Sequence, residues 1–151
     1  MRAFFTTLLL LAVLVAGYLA YAHFSGGQVP TFGLPIGGEK GEIRVYASQF
    51  LENIKFKNTA ALVGFAENAT SADVDKYLTS LFDMDKNAID LQTFSVKEIE
   101  MDSSKMRSRV NILLKGRDLS NNNPFEKHKI IYLYQNPTKK TWLVDMNTLP
   151  N

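Results

Sequence analysis

Three side chains near the C-terminus are of the kinds that move protons. Tyr132 and Tyr134 stand two apart in an alternating apolar run, and Asp145 lies in the run that follows. If the chain turns at residues 137–140, Tyr132 falls opposite Asp145 and Tyr134 opposite Leu143. A carboxylate sheltered beside phenolic hydroxyls would suit acid–base work, or the gripping of a small ligand. The arrangement depends on register, because a slip of one residue turns the whole set to the other face. The neighbouring run presents Met106, Val110, Ile112 and Leu114 on one side, a surface too apolar to line a reactive chamber. The expectation is therefore no enzyme and no catalytic residue, with Tyr132, Tyr134 and Asp145 as ligand-binding candidates.

Arg107 and Arg109 share one side of that neighbouring run, with Lys105, Lys115 and Arg117 close by. Such a stripe can bind phosphate or acidic lipid. A tight turn at Ser103-Ser104 would pair Met101 with Met106, Glu100 with Arg107 and Glu98 with Arg109. Opposite charges facing each other across strands contribute roughly 0.2–1 kcal/mol each, so the hairpin largely neutralises its own stripe. What remains for Arg107 and Arg109 is a charge-guided contact with a partner protein. No aromatic platform is interleaved with the bases, so nucleic acid is not an expected partner.

Metal and cofactor chemistry finds little footing. Residues 83–87 begin like a calcium loop, but Ala88 stands where the loop needs glycine and Phe94 where it needs a bidentate glutamate. The chain has no cysteine, and His23 and His128 are too far apart in sequence to mark a zinc site. Gly26-Gly27 and Gly37-Gly38 neither follow a strand nor open a nucleotide-binding helix. No metal and no cofactor are expected. Asn68-Ala69-Thr70 is a formal glycosylation sequon, read here as a loop with a helix cap.

The elements that would hold these residues begin with an apolar lead. Residues 3–22 carry no charge and follow Arg2, and about twenty apolar residues suffice to cross a bilayer as a helix. The leading positive charge keeps the N-terminus in the cytoplasm and sends the rest outward. Residues 1–24 thus read as a signal anchor, or as a signal peptide cleaved after Ala22, where Ala20-Tyr21-Ala22 fits the small-x-small rule. Residues 25–41 hold six glycines and two prolines and read as a linker. Val29, Phe32, Leu34 and Ile36 make it unusually apolar for a solvated tether, so they are candidates for docking on a partner.

A domain over residues 42–151 follows. Ile43, Tyr46, Ala47, Phe50, Leu51 and Ile54 form one helical stripe. Thr59 is the expected cap of a short second helix running through Phe65. Thr70, with Asp73 three residues on, caps a third whose stripe is Val74, Tyr77, Leu78, Leu81 and Phe82. Four strands are expected next. In the first, the parity change between Val96 and Ile99 points to a bulge. The second ends in a loop over residues 116–124, the third covers 125–135, and the fourth covers 141–149. Helices followed by an antiparallel meander make an α+β domain. Net charge is +2, but residues 25–104 hold 7 basic and 12 acidic side chains, against 9 and 3 in residues 105–151.

This order, with Phe50-Leu51-Glu52-Asn53-Ile54-Lys55-Phe56-Lys57-Asn58 in the opening helix and Lys140-Thr141-Trp142-Leu143-Val144-Asp145 at the end, resembles the nuclear transport factor 2-like (cystatin-like cone) superfamily in its exported bacterial branch. The resemblance spans about residues 42 to 149. It implies three helices packed on a curved four-stranded antiparallel sheet, often with a pocket between them. It implies no activity, because its members include enzymes, binding modules and scaffolds, and no Asp/His constellation of an enzymatic branch carries over. The expected protein is a single-pass component of the cytoplasmic membrane whose domain stands in the periplasm or outside the cell. It would bind or brace an envelope or membrane protein complex, or a copy of itself. The alternative is a small-ligand-binding or acid–base domain of the same fold. A filled interior would favour the first, and a hollow near Tyr132, Tyr134 and Asp145 the second.

Overall fold

The computed structural model describes residues 2–26, 29, 37–148 and 150. The chain divides into two compact units, Met1–Arg44 and Val45–Asn151. In the first, helix α1 (Arg2–Phe24) is long and apolar enough to cross a membrane, with a mean hydropathy of 2.1 over its best window. Phe4, Leu9 and Leu14 on it are all more than 60% exposed.

Helix α2 (Gly38–Lys55) starts four residues before the position expected from sequence, within the stretch read as linker. Gly37 and Gly38 have φ of +111° and +56°, values that glycine adopts at no steric cost, and they bring the chain into the helix. Of the docking candidates in the linker, Val29 is described, half-buried in a bend. Phe32, Leu34 and Ile36 lie outside the described residues. Helix α2 ends on Lys57, at φ +55°, whose N–H donates to the Ile54 carbonyl at 3.0 Å, a left-handed helix stop.

In the second unit, helix α3 (Thr59–Leu62) runs into a 3-10 turn at Val63–Phe65. Thr59 is not its cap. Asn58 occupies that position and makes no side-chain capping bond. Helix α4 (Ser71–Phe82) starts as expected: the Asp73 N–H donates to Thr70 Oγ1, and the Thr70 N–H donates to Asp73 Oδ2 at 2.8 Å. All five residues of its predicted stripe are buried.

Strands β1 (Ile89–Met101), β2 (Arg107–Asp118), β3 (Asn123–Gln135) and β4 (Trp142–Val144) form one antiparallel sheet in chain order. The expected bulge lies between Val96 and Glu98, and a second between Leu91 and Thr93. Three expectations are corrected. Residues 116–124 are not a loop, since β2 and β3 continue to Asp118 and from Asn123 and leave only residues 119–122 as the turn. Strand β4 is three residues long, because the Asp145 carboxylate accepts bonds from the Asn147 N–H (3.1 Å) and Thr148 Oγ1 (2.8 Å) and turns the chain away.

The β1–β2 register is also offset by two residues. Met101 faces Ser108, Glu100 faces Arg109 and Glu98 faces Asn111. The connection, residues 102–106, is five residues long and not a two-residue turn. Asp102 accepts from the N–H groups of Met106 (3.1 Å) and Arg107 (3.2 Å), with Lys105 at φ +58°.

Alternation assigns the two faces of the sheet. Val110, Ile112, Leu114, Ile131, Leu133 and Val144 point one way and are at most 1% exposed. This is the face the helices cover. Phe125 on it meets the Phe82 ring edge-on at 5.8 Å, the Lys127 ammonium donates to the Phe82 carbonyl, and Lys129 pairs with Asp83 at 2.9 Å. Phe50 packs against Phe65 and Tyr77, with ring centroids at 5.5 and 6.1 Å. The layer between helices and sheet is packed with apolar side chains.

Candidate functional site

Antiparallel neighbours that face each other share a side of the sheet, so the register places the candidate residues directly. Glu100 faces Arg109, and Arg109 faces Tyr132. Tyr134 faces Leu143, and one step further the Asp145 N–H donates to the Tyr132 carbonyl at 2.9 Å. Glu100, Arg109 and Tyr132 therefore form one row across β1, β2 and β3, which Asp145 continues just past the end of β4. Arg107, Tyr134 and Leu143 form the next row. Both rows lie on the side opposite the buried Val110–Ile131 layer.

These residues border a cavity of about 800 Å³. Tyr132, Tyr134, Asp145, Arg107 and Arg109 all line it, so the ligand candidates and the basic partner candidates converge on one place. The flanks come from Glu100 and Asp102 on the β1 side and from Asn147 and Thr148 after β4. Exposed charges on its rim make it a groove open to water. A smaller hollow of about 300 Å³ lies elsewhere, between Leu62, Leu78, Lys86 and Ile89, and has no carboxylate or histidine in its lining.

The pairing within the groove is uneven. Arg109 reaches Glu100 at 3.5 Å, with both side chains about half exposed, so solvent keeps the pair weak. This replaces the expected Glu98–Arg109 and Glu100–Arg107 pairs. Asp102 accepts from Ser104 Oγ at 2.7 Å besides its two backbone donors, and the Ser104 bond is the largest cause holding its carboxyl below the usual aspartate value. Both oxygens of Asp145 accept bonds within its own turn. The Tyr134 hydroxyl donates to Glu67 Oε2 at 3.3 Å, and Asn136 Nδ2 donates to the other oxygen of the same carboxylate. Burial, then Glu67, pushes the Tyr134 hydroxyl above its ordinary value.

Two features were not visible in the sequence. Glu67 comes from the loop before α4, 67 residues from Tyr134, and nothing local marks it as a neighbour. Tyr77 was read as a core residue and is one, at 1% exposed, but its hydroxyl finds no hydrogen-bond partner among the described residues. Burial raises its pKa, with Asp145 and then Tyr132 adding to the shift. The groove's phenol and carboxylate thus lie within electrostatic reach of a buried hydroxyl. His128 lies within electrostatic reach of Glu126, but among the described residues no group of three potential metal ligands occurs.

No protein-family model matches this sequence, and no curated protein matches it. Among solved structures the chain is similar to SalBIII, an epoxide hydrolase/cyclase-like enzyme described for pyran ring formation in the polyether salinomycin. That likeness covers 72% of this chain and 95% of that one, at a TM-score of 0.49 and 10% identity.

Proposed function

We propose that this is a membrane-anchored, non-enzymatic binding domain that stands outside the cytoplasm, in the periplasm or beyond the cell. It contacts another envelope protein, or a second copy of itself, through the open face of its sheet. One observation carries the reading. The side chains that the sheet turns toward the helices, Val110, Ile112, Leu114, Ile131, Leu133 and Val144, are at most 1% exposed, and the hollow among Leu62, Leu78, Lys86 and Ile89 is lined without a carboxylate or histidine, so that side supports packing rather than shielded acid–base chemistry. The groove holding the tyrosines, the arginines and Asp145 is on the other side, wet and open. There the carboxylates of Asp102 and Asp145 serve as structural acceptors for turns. Arg2 ahead of the apolar helix supports the outward orientation.

A second reading, a small-ligand site, is favoured by the size of the groove, which falls within the roughly 300–1,000 Å³ typical of such sites.

The chain contains no cysteine, so one introduced thiol is a unique handle. Asn147→Cys places it at the groove rim and Thr79→Cys on the exposed side of α4. With a thiol-linked photocrosslinker in native membranes, the first is expected to yield discrete adducts and the second none. Equal labelling from both sites, or none from Asn147→Cys, would overturn the proposal.

A further inference from the structure

We infer that the groove receives an extended segment of a partner polypeptide that presents a carboxylate to Arg107 and an apolar or aromatic side chain to Tyr132 and Tyr134. The inference rests on the binding reading above and names the chemistry of its partner. It follows from an accounting of the groove's charged groups. Glu100 is paired with Arg109. Asp102 is bonded to Ser104 and two backbone N–H groups. Asp145 is bonded to Asn147 and Thr148. Glu67, from the loop before α4, holds Tyr134 and Asn136.

The Arg107 guanidinium is the exception. It makes no ion pair and no hydrogen bond among the described residues, and the Asp102 carboxylate feels its charge without pairing to it. Its five donors form a fork that matches a carboxylate in two-point contact. Tyr134 lies directly across from it on β3, and Tyr132, two residues away, is on the same side of the sheet, so two aromatic rings stand beside the guanidinium.

The openness of the site selects the occupant. Pockets for small molecules bury about 70–90% of the ligand surface. A groove rimmed by exposed Glu100, Asp102, Arg109 and Asn147 cannot enclose a free molecule to that extent. A chain that enters at one end and leaves at the other needs no such enclosure.

The test is fluorescence anisotropy with the full-length protein in detergent micelles. The probes are a short labelled peptide alternating phenylalanine with glutamate and its counterpart with glutamine in place of glutamate. The glutamate peptide is expected to bind saturably and the glutamine peptide about ten- to a hundredfold more weakly, the range for a charged hydrogen-bonded contact. Arg107→Gln should weaken the glutamate peptide by the same factor. Arg107→Lys should fall between, because it keeps the charge and loses the fork. Lys115→Ala removes an equal charge outside the groove and should change binding by less than about threefold, the effect of screened charge alone. Unchanged thermal melting of Arg107→Gln, whose site is exposed, excludes misfolding as the cause.

Equal binding of the two peptides, no effect of Arg107→Gln, or no binding of either peptide would overturn the inference. Adducts from Asn147→Cys alongside any of these outcomes would leave the partner-binding reading standing and remove only its carboxylate. Loss of the adducts with Arg107-dependent peptide binding intact would do the reverse.

Discussion

Tyr77→Phe tests whether the space under the sheet is dry. The Tyr77 ring is 1% exposed and packs edge-on against Phe50 at 6.1 Å, so phenylalanine fits the same space less one oxygen. That oxygen has no hydrogen-bond partner among the described residues. A buried polar group left unpaired costs about 1–3 kcal/mol. Removing it also loses the dispersion contacts of one atom, about 0.1–0.2 kcal/mol for each neighbour. The balance is a gain of about 0.5–2 kcal/mol. For a domain of this size each kcal/mol moves Tm by roughly 4–8 °C, so an increase of several degrees is expected. The protein carries a single tryptophan, Trp142, 6% exposed on β4, and its fluorescence reports unfolding of that part of the sheet in a urea or thermal melt. A fall in stability of about 1 kcal/mol or more would show that the hydroxyl is bonded inside the fold. The interior would then be wet, and the argument against a reactive chamber would fail with it.

Gly116→Ala should destabilise the sheet by about 1–3 kcal/mol, as overpacking does. An added Cβ would lie 2.1 Å from the Asp90 carbonyl oxygen and 2.8 Å from the Phe125 ring, and the backbone atom cannot step aside; a melt within 0.5 kcal/mol of the parent would contradict this close approach. Asp83→Asn tests the tie between α4 and β3. Hydrogen bonding from Lys129, then Lys127, holds the Asp83 carboxyl below its ordinary value. A depressed carboxylate stabilises the fold above its unfolded pKa of about 3.9 and loses that contribution as pH falls through the folded value. The parent should therefore exceed the variant at pH 7, by about 1 kcal/mol or less because Asp83 is 59% exposed. The two urea midpoints should converge below pH 4, and a gap that widens on acidification would refute the assignment.

Local chemistry made some elements legible and long-range contacts hid others. Helix α4 could be read completely because a capping box and a five-residue stripe each specify it without reference to the rest of the chain. The start of α2 could not, since Gly38 and Gly41 carry low helix propensity and resemble linker until the segment is seen to be helical. The extent of β4 was overestimated because Thr141 to Leu149 alternates like a strand, while the Asp145 side chain captures the backbone two residues on and ends the ladder. Asp102 acts in the same way at the β1–β2 connection, drawing residues 102–106 into a turn that a two-residue reading could not anticipate. The Glu67–Tyr134 bond and the orphan hydroxyl of Tyr77 depend on packing between helix and sheet and leave no periodic mark.

The groove was nonetheless foreseeable, and parity explains why. Moving the β1–β2 register by two residues exchanges which acid meets which arginine but leaves every side chain on its original face, whereas a shift of one would have buried the arginines. Val110, Ile112 and Leu114 are buried as their alternation predicts, but they lie on the opposite side of the sheet from Tyr132 and Asp145. A filled interior and a hollow beside the tyrosines are therefore not alternatives in this fold, since each belongs to its own face. This placement has an energetic consequence. On an open face the attraction between Arg107 and any carboxylate is weakened by water, so the groove gains strength only from an occupant that excludes water as it binds. Apolar side chains flanking an acid would do that against Tyr132 and Tyr134, and a bare anion would not.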